Sequence, residues 1–249
     1  MEEKKMSENR KLIESNVPLL KKVFGEENWK EKVSNVFQGF EGPSVYFYNE
    51  CLLARKNEFL GKEHIKMMYA CLTAWGMHRM GESSKTKIPP FADFFESIIR
   101  EKVTYEKYKE QNLLEANKDI LEEIWSVGRN IKSSMSSSKL VSVSKTLHFI
   151  LPELVPPIDR QYTLRFFYQE KEKWVGEDGK YGSLPILSNK KEAQYFFEIC
   201  MQYQKIWKSN EEELCSVDNP IKTIDNAIMY QVKNQKRITK NPSSAQGSL

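Results

Sequence analysis

The chain has 249 residues, 40% apolar and 29% charged, with 13 Phe, 11 Tyr and 5 Trp spread along it, enough for one large domain or two small ones with a proper core. No stretch approaches the roughly 18 uninterrupted apolar residues of a membrane span. The N-terminus, Met1-Glu2-Glu3-Lys4-Lys5-Met6-Ser7-Glu8, carries both signs of charge where a signal peptide would carry an apolar core, so a cytoplasmic protein is expected.

Residues 1–8 are expected to be flexible and to lead into a helical hairpin, which Gly39 to Pro43 breaks. Ser44-Val45-Tyr46-Phe47-Tyr48 is the best strand candidate. Its pattern continues at helical spacing through Leu53, and helix is the better reading. Ile65, Met68, Tyr69, Leu72 and Trp75 or Gly76 fall on one helical stripe. There the Trp75-Gly76 pair predicts close approach of another element over Gly76, with Trp75 filling the core. Gly81 to Pro90 is a polar connector ending in a Pro-Pro pair. Ile120, Leu121, Ile124, Trp125, Val127 and Ile131 form a second stripe, with Asn117 as N-cap.

Ser133 to Ser138 is a serine-rich loop, and Pro152 to Pro157 a rigid one, because each Pro fixes φ and restrains its predecessor. Val175 to Pro185 carries three glycines and has room for a small hairpin or irregular excursion, near 175–188. Phe196, Phe197, Cys200, Tyr203 and Trp207 make a third stripe. A fourth, Ile221, Ile224, Ala227, Ile228 and Val232, follows Asn219-Pro220. Residues 241–249 read as a disordered tail. The fold expected is all-α, a single multi-helix domain over 1–240 with about ten helices around one core.

Cys51, Cys71, Cys200 and Cys215 form no CxxC pair and have no His at ligand spacing, so neither a metal site nor a disulfide framework is expected. No cofactor-binding motif is present: P-loop, GxGxxG after a strand, GxSxG, HExxH and kinase signatures are all missing. Net charge is a mild +4, but it is unevenly placed. From Ile124 to Pro152 there is no acid, while Arg129, Lys132, Lys139 and Lys145 lie within; from Asn226 onward there is again none, with Lys233, Lys236, Arg237 and Lys240 present. An anionic partner would sense this polarity if both segments shared a face.

The segment Leu140-Val141-Ser142-Val143-Ser144-Lys145-Thr146-Leu147-His148-Phe149-Ile150, followed by Pro156-Pro157-Ile158-Asp159-Arg160, resembles part of the helix-hairpin-helix DNA glycosylase superfamily, over about residues 138–166. In that family a Gly-rich hairpin binds a DNA phosphate through backbone N–H groups, and a Lys-Thr pair opens the next helix. A catalytic Asp follows a Pro-containing turn. The resemblance implies Lys145 as the amine that attacks the sugar and Asp159 as the carboxylate that stabilises positive charge there. Ser142 and Ser144 stand at the hairpin positions. Lys139, Ser142, Ser144, Arg160 and Arg165 are the implied DNA contacts. Trp75-Gly76-Met77, the Pro-Ile-Asp turn and Thr223 to Ile228 also resemble bacterial helical proteins to which no activity attaches.

From the residues alone, Asp159 is equally well placed to cap the helix after it, Lys145 to point to solvent, and His148 to be a satisfied core histidine. Three readings therefore stand. The first is DNA binding on a glycosylase-like scaffold, with base excision either retained through Asp159 or lost. The second is a non-catalytic interaction or structural module. The third is an enzyme on a small anionic substrate using His78, Arg79 and the Asp159 turn. Partner and oligomeric state are open at this point.

Overall fold

The computed structural model describes residues 2–36, 43–76, 89–134, 136, 138–175, 181–183 and 188–240, with side chains described from residue 12 to 235 except at 189. The described residues form twelve α-helices and two 3₁₀ turns, with one isolated antiparallel bridge, Val175 to Tyr181, as the remnant of the expected excursion. The all-α expectation holds. The buried side chains of these helices form one connected core, and among the described residues no helix is long and apolar enough to cross a membrane.

The described chain opens with α1 (Glu2–Phe24), followed by a short α2 (Trp29–Ser34). The Tyr46 region is helix, within α3 (Pro43–Asn57), packed closely against α4 (Lys62–Ala74). α4 stops at Ala74 because Gly76 takes φ 80°, the left-handed conformation that ends helices and that Gly alone adopts without strain. Gly76 thus terminates the helix. α5 (Phe91–Ile99) starts directly after the Pro89-Pro90 pair and is followed by α6 (Lys102–Tyr108). Asn117 caps α7 (Lys118–Gly128), its side chain accepting from Ile120 N–H at 3.0 Å.

The centre of the molecule is α8 (Leu140–Ile150), in which every residue is buried. It touches α3, α4, α7 and α10. A helix covered on all sides is ordinarily apolar all round. This one carries Ser142, Ser144, Lys145, Thr146 and His148, so each polar group must find a partner inside. Ser142, Ser144 and Thr146 turn their hydroxyls back onto carbonyls of their own helix. His148 Nδ1 lies 2.8 Å from the Val155 carbonyl and Nε2 3.1 Å from the Tyr48 hydroxyl. A carbonyl only accepts, so Nδ1 carries the proton and Nε2 accepts from Tyr48. Gly128 lets α8 approach α7: a Cβ there would lie 2.7 Å from Leu147 Cδ1.

Beyond α8 the Pro-rich turn leads into α9 (Thr163–Tyr168), then α10 (Glu192–Ser209), α11 (Glu211–Leu214) and α12 (Pro220–Lys240). Asn219 caps α12 by accepting from Lys222 N–H at 2.8 Å, with Pro220 next in sequence, where its missing N–H costs nothing. α12 contacts α1, α2, α9 and α10, and its first half faces the turn that carries Asp159. Cys51, Cys71 and Cys200 are buried free thiols, Cys215 an exposed one. The expected tail, 241–249, and the Gly81 to Ile88 part of the connector lie outside the described residues.

Candidate functional site

Lys145 sits in the middle of α8, with an α-helical turn already made by Leu140 to Ser144 before it. Ser142 and Ser144, which stand at the hairpin positions of the resemblance, lie within this helix. The Lys145 side chain is largely buried, 9% exposed, and its amine bonds Asp159 Oδ2 at 3.0 Å.

The rigid Pro156-Pro157 turn brings Asp159 to it. Three side chains fix that turn. Ser144 Oγ accepts from Ile158 N–H at 3.1 Å, and Thr163 Oγ1 accepts from Asp159 N–H at 3.0 Å. Asp159 Oδ1 in turn accepts from the N–H groups of Gln161 (2.7 Å) and Tyr162 (3.2 Å). Asp159 therefore both caps the turn into α9 and pairs with Lys145. Burial alone would lift its carboxyl, but the Lys145 ammonium and the two N–H donors outweigh burial and hold it below the ordinary aspartate value.

The pair opens on a cavity of about 320 Å³ lined by Ser44, Ala74, Trp75, Lys145, Pro157, Asp159, Tyr162, Lys222, Asp225 and Met229. That is within the range of small-molecule sites, though at its small end. Trp75, expected in the core, is instead a half-buried wall of this cavity, resting on the core through Tyr48 (stacked, 5.9 Å between ring centres) and Phe149 (5.0 Å). Lys145 Nζ lies 5.4 Å from the Trp75 ring centre, a cation–π distance.

A second Lys–Asp pair lines the same cavity. On α12, Lys222 and Asp225 lie one turn apart and bond directly, with side chains 8% and 6% exposed. Lys222 Nζ is 5.7 Å from the Trp75 ring centre and 5.8 Å from that of Tyr48. Burial lifts the Asp225 carboxyl above its ordinary value against the pull of Lys222, and the Asp159 charge pushes the same way as burial. The two aspartates of one cavity are thus driven in opposite directions. The sequence reading attached no chemistry to Lys222 or Asp225. The signal was present as charges beside the buried stripe Ile221, Ile224 and Ile228, where solvated charges would not be expected to find partners.

The other expected site residues do not line this cavity. Ser142 and Ser144 are 1% and 0% exposed; Ser142 Oγ donates to the Lys139 carbonyl, and Ser144 Oγ accepts from Ile158 N–H in the Asp159 turn. Arg165, 1% exposed, donates to Gln161 O, Gln169 Oε1, Trp174 O and Gly182 O, a clamp on the 169–183 segment and not a surface cation. Lys139 is half-buried with its amine on the Ser134 carbonyl at 2.6 Å and its N–H on Glu192 Oε1. Of the five expected DNA contacts, only Arg160 is exposed.

The two acid-free segments meet here in part: Lys145 comes from the first, and Lys233 of the second lies 6.0 Å from the Tyr162 ring centre. His64 and His148 are buried and neutral, burial pushing them down to about 4 and about 3. His78 and Arg79 lie outside the described residues. Among the described residues no cluster of His, Cys, Asp or Glu could hold a metal ion.

No protein-family model, curated protein or solved structure matches this chain.

Proposed function

We propose that this protein binds DNA and acts on a nucleotide turned out of the helix into the cavity, by glycosylase- or lyase-type chemistry through Lys145 and Asp159. The observation that carries the reading is the Lys145–Asp159 pair: an amine and a carboxylate 3.0 Å apart, fixed by a rigid turn and facing a cavity walled by Trp75 and Tyr162. Enzymes that work on a base or its sugar extrude the nucleotide and stack it on aromatic side chains. Asp159, held as an anion, suits the stabilisation of positive charge at the sugar carbon. It is also the nearest acceptor for the proton that Lys145 must lose before its nitrogen can attack. Arg160, beside Asp159 at the surface, is the exposed cation best placed for a phosphate.

One set of observations favours the second reading, a non-catalytic module. Each charged group of the site already has a partner, and of the five expected phosphate contacts three are buried and Lys139 is half-buried. The experiment that separates the two uses duplex DNA with a single abasic site, incubated with the protein and borohydride at two salt concentrations. The enzymatic reading expects a covalent adduct that Lys145→Gln abolishes and that weakens with salt, because phosphate contacts release counterions. No adduct and no binding at low salt leave the interaction module.

A further inference from the structure

The hydrogen-bonding capacity of the cavity is one-sided. An ammonium carries three N–H donors. Lys145 spends one on Asp159 Oδ2, and among the described residues the other two meet no acceptor. Both oxygens of Asp159 are engaged, Oδ2 by Lys145 and Oδ1 by the N–H groups of Gln161 and Tyr162. Its charge is thus drawn back into the turn, while donors remain on the amine that lines the cavity. A second ammonium, that of Lys222, lies 5.7 Å from the centre of the indole that Lys145 also faces. The two lysine side chains are 9% and 8% exposed, and withdrawal from water strengthens their pull on an opposite charge.

We propose that the cavity binds a small free anion, a flat ring bearing one carboxylate or phosphate group. Lys145 and Lys222 hold the anionic group, and the ring lies against Trp75 and Met229. The inference goes beyond the reading above and needs no DNA. One occupant excludes the other, because both use the Lys145 amine.

Three features of the wall select this ligand. Ala74, Pro157 and Met229 line it beside the rings of Trp75 and Tyr162, so the body of the ligand is apolar, and its polar part is confined to the lysines. Small-molecule sites share that proportion of apolar wall to a few placed polar groups. Flat aromatic walls favour a flat body. At about 320 Å³ the space suits one ring and its charged group. An ionised acceptor gains roughly twice what a neutral one gains from the same donor, so a carboxylate or phosphate is preferred over an amide of the same shape.

The test is calorimetric titration of the DNA-free protein with benzoate, phenyl phosphate and benzamide, the last having benzoate's shape without its charge. At least one of the two anions is expected to bind at a single site with Kd below roughly 1 mM, and benzamide about tenfold more weakly or worse. Which anion binds tells a carboxylate ligand from a phosphate one. Lys145→Gln is expected to weaken that anion about tenfold or more and to leave benzamide unchanged. Lys222→Met/Asp225→Leu, which strands no buried charge, is expected to do the same. Should a variant fail to fold, wild-type protein is treated with formaldehyde and borohydride with and without saturating anion. Peptide mass spectrometry is then expected to show Lys145 and Lys222 protected from methylation. Binding of neither anion, benzamide as tight as both, folded variants that bind like wild type, or unprotected amines overturns the proposal. Because no DNA is present, a missing abasic-site adduct leaves this result standing, and failure here leaves the DNA reading to its own experiment.

Discussion

Lys145 and Lys222 place their ammonium groups 5.4 and 5.7 Å from the centre of one indole, that of Trp75, while each keeps its own aspartate. Two like charges brought to one ring repel each other. The arrangement is tolerable because each is matched by a carboxylate and both face the electron-rich ring. Trp75 is therefore part of the electrostatics of the site as well as its wall. Trp75→Ala is expected to destabilise the protein by about 2–4 kcal/mol, from lost packing on Tyr48 and Phe149 together with two cation–π contacts. Trp75→Phe should recover much of that. Urea unfolding of the two variants beside wild type measures both. Equal losses would assign the whole effect to indole-specific packing and none to the ring face.

The Lys222–Asp225 pair makes a different prediction, because both charges are nearly excluded from water. Removing one partner strands the other, so Asp225→Asn is expected to cost about 3–5 kcal/mol, while Lys222→Met/Asp225→Leu should lie within about 1 kcal/mol of wild type. The difference between single and double variants in chemical denaturation reads the coupling directly. Additive losses would mean that each residue is held by its surroundings and not by the other.

Arg165 tests what the structure takes away from the DNA reading. Its guanidinium holds the carbonyls of Trp174 and Gly182 and the side chain of Gln169, and Gly182 is close-packed enough that a Cβ would lie 2.4 Å from Lys173 O. Arg165→Ala leaves buried acceptors without donors and is expected to cost roughly 3 kcal/mol, with faster amide exchange at Gly182 N–H, which bonds Trp174 O. DNA affinity of the folded variant should be unchanged. A salt-dependent loss of affinity with intact stability would restore Arg165 as a phosphate contact.

Much of the fold was legible because the buried stripes of α4, α7, α10 and α12 keep helical spacing, and because Asn117 and Asn219 are good caps. The Lys145–Asp159 pair was legible only through its motif, since no local rule brings together two residues on either side of a Pro-rich turn. Its partners on α12 and the role of Trp75 were not, because what α12 packs against is a tertiary fact. The internal partners of Ser142, Ser144 and Arg165 were illegible for a single reason. The resemblance turned these polar residues toward a phosphate, whereas α8 and α9 are buried and their side chains bond nearby carbonyls, the Asp159 turn and the backbone of Trp174 and Gly182. Sequence composition cannot distinguish a hydroxyl facing a phosphate from one facing the carbonyl a turn back.

Histidine burial sets the acid limit of the protein. His148 and His64 are held neutral by burial, at about 3 and about 4, against 6.5 for an ordinary imidazole. Both folded values are lowered, so below pH 6.5 the unfolded chain binds protons that the folded chain refuses. Stability is therefore full above about pH 6.5 and falls as the pH drops toward 4, by at most on the order of 3–5 kcal/mol for each ring. Asp159, with its carboxyl held below 3.8, loses its contribution only in more acid solution, as the pH falls through its folded value. Asp225 has the opposite sign: its raised carboxyl favours the folded state at low pH and gives up that contribution as the pH rises through the folded value. Urea midpoints measured from pH 8 to pH 4.5 should therefore decline mainly below pH 6.5. In His148→Gln, whose amide can still donate to Val155 and accept from Tyr48, the decline should be shallower. An identical slope in that variant would mean that His148 takes up its proton without unfolding the core, and that the neutral tautomer assigned by Val155 and Tyr48 is not what holds α8 in place.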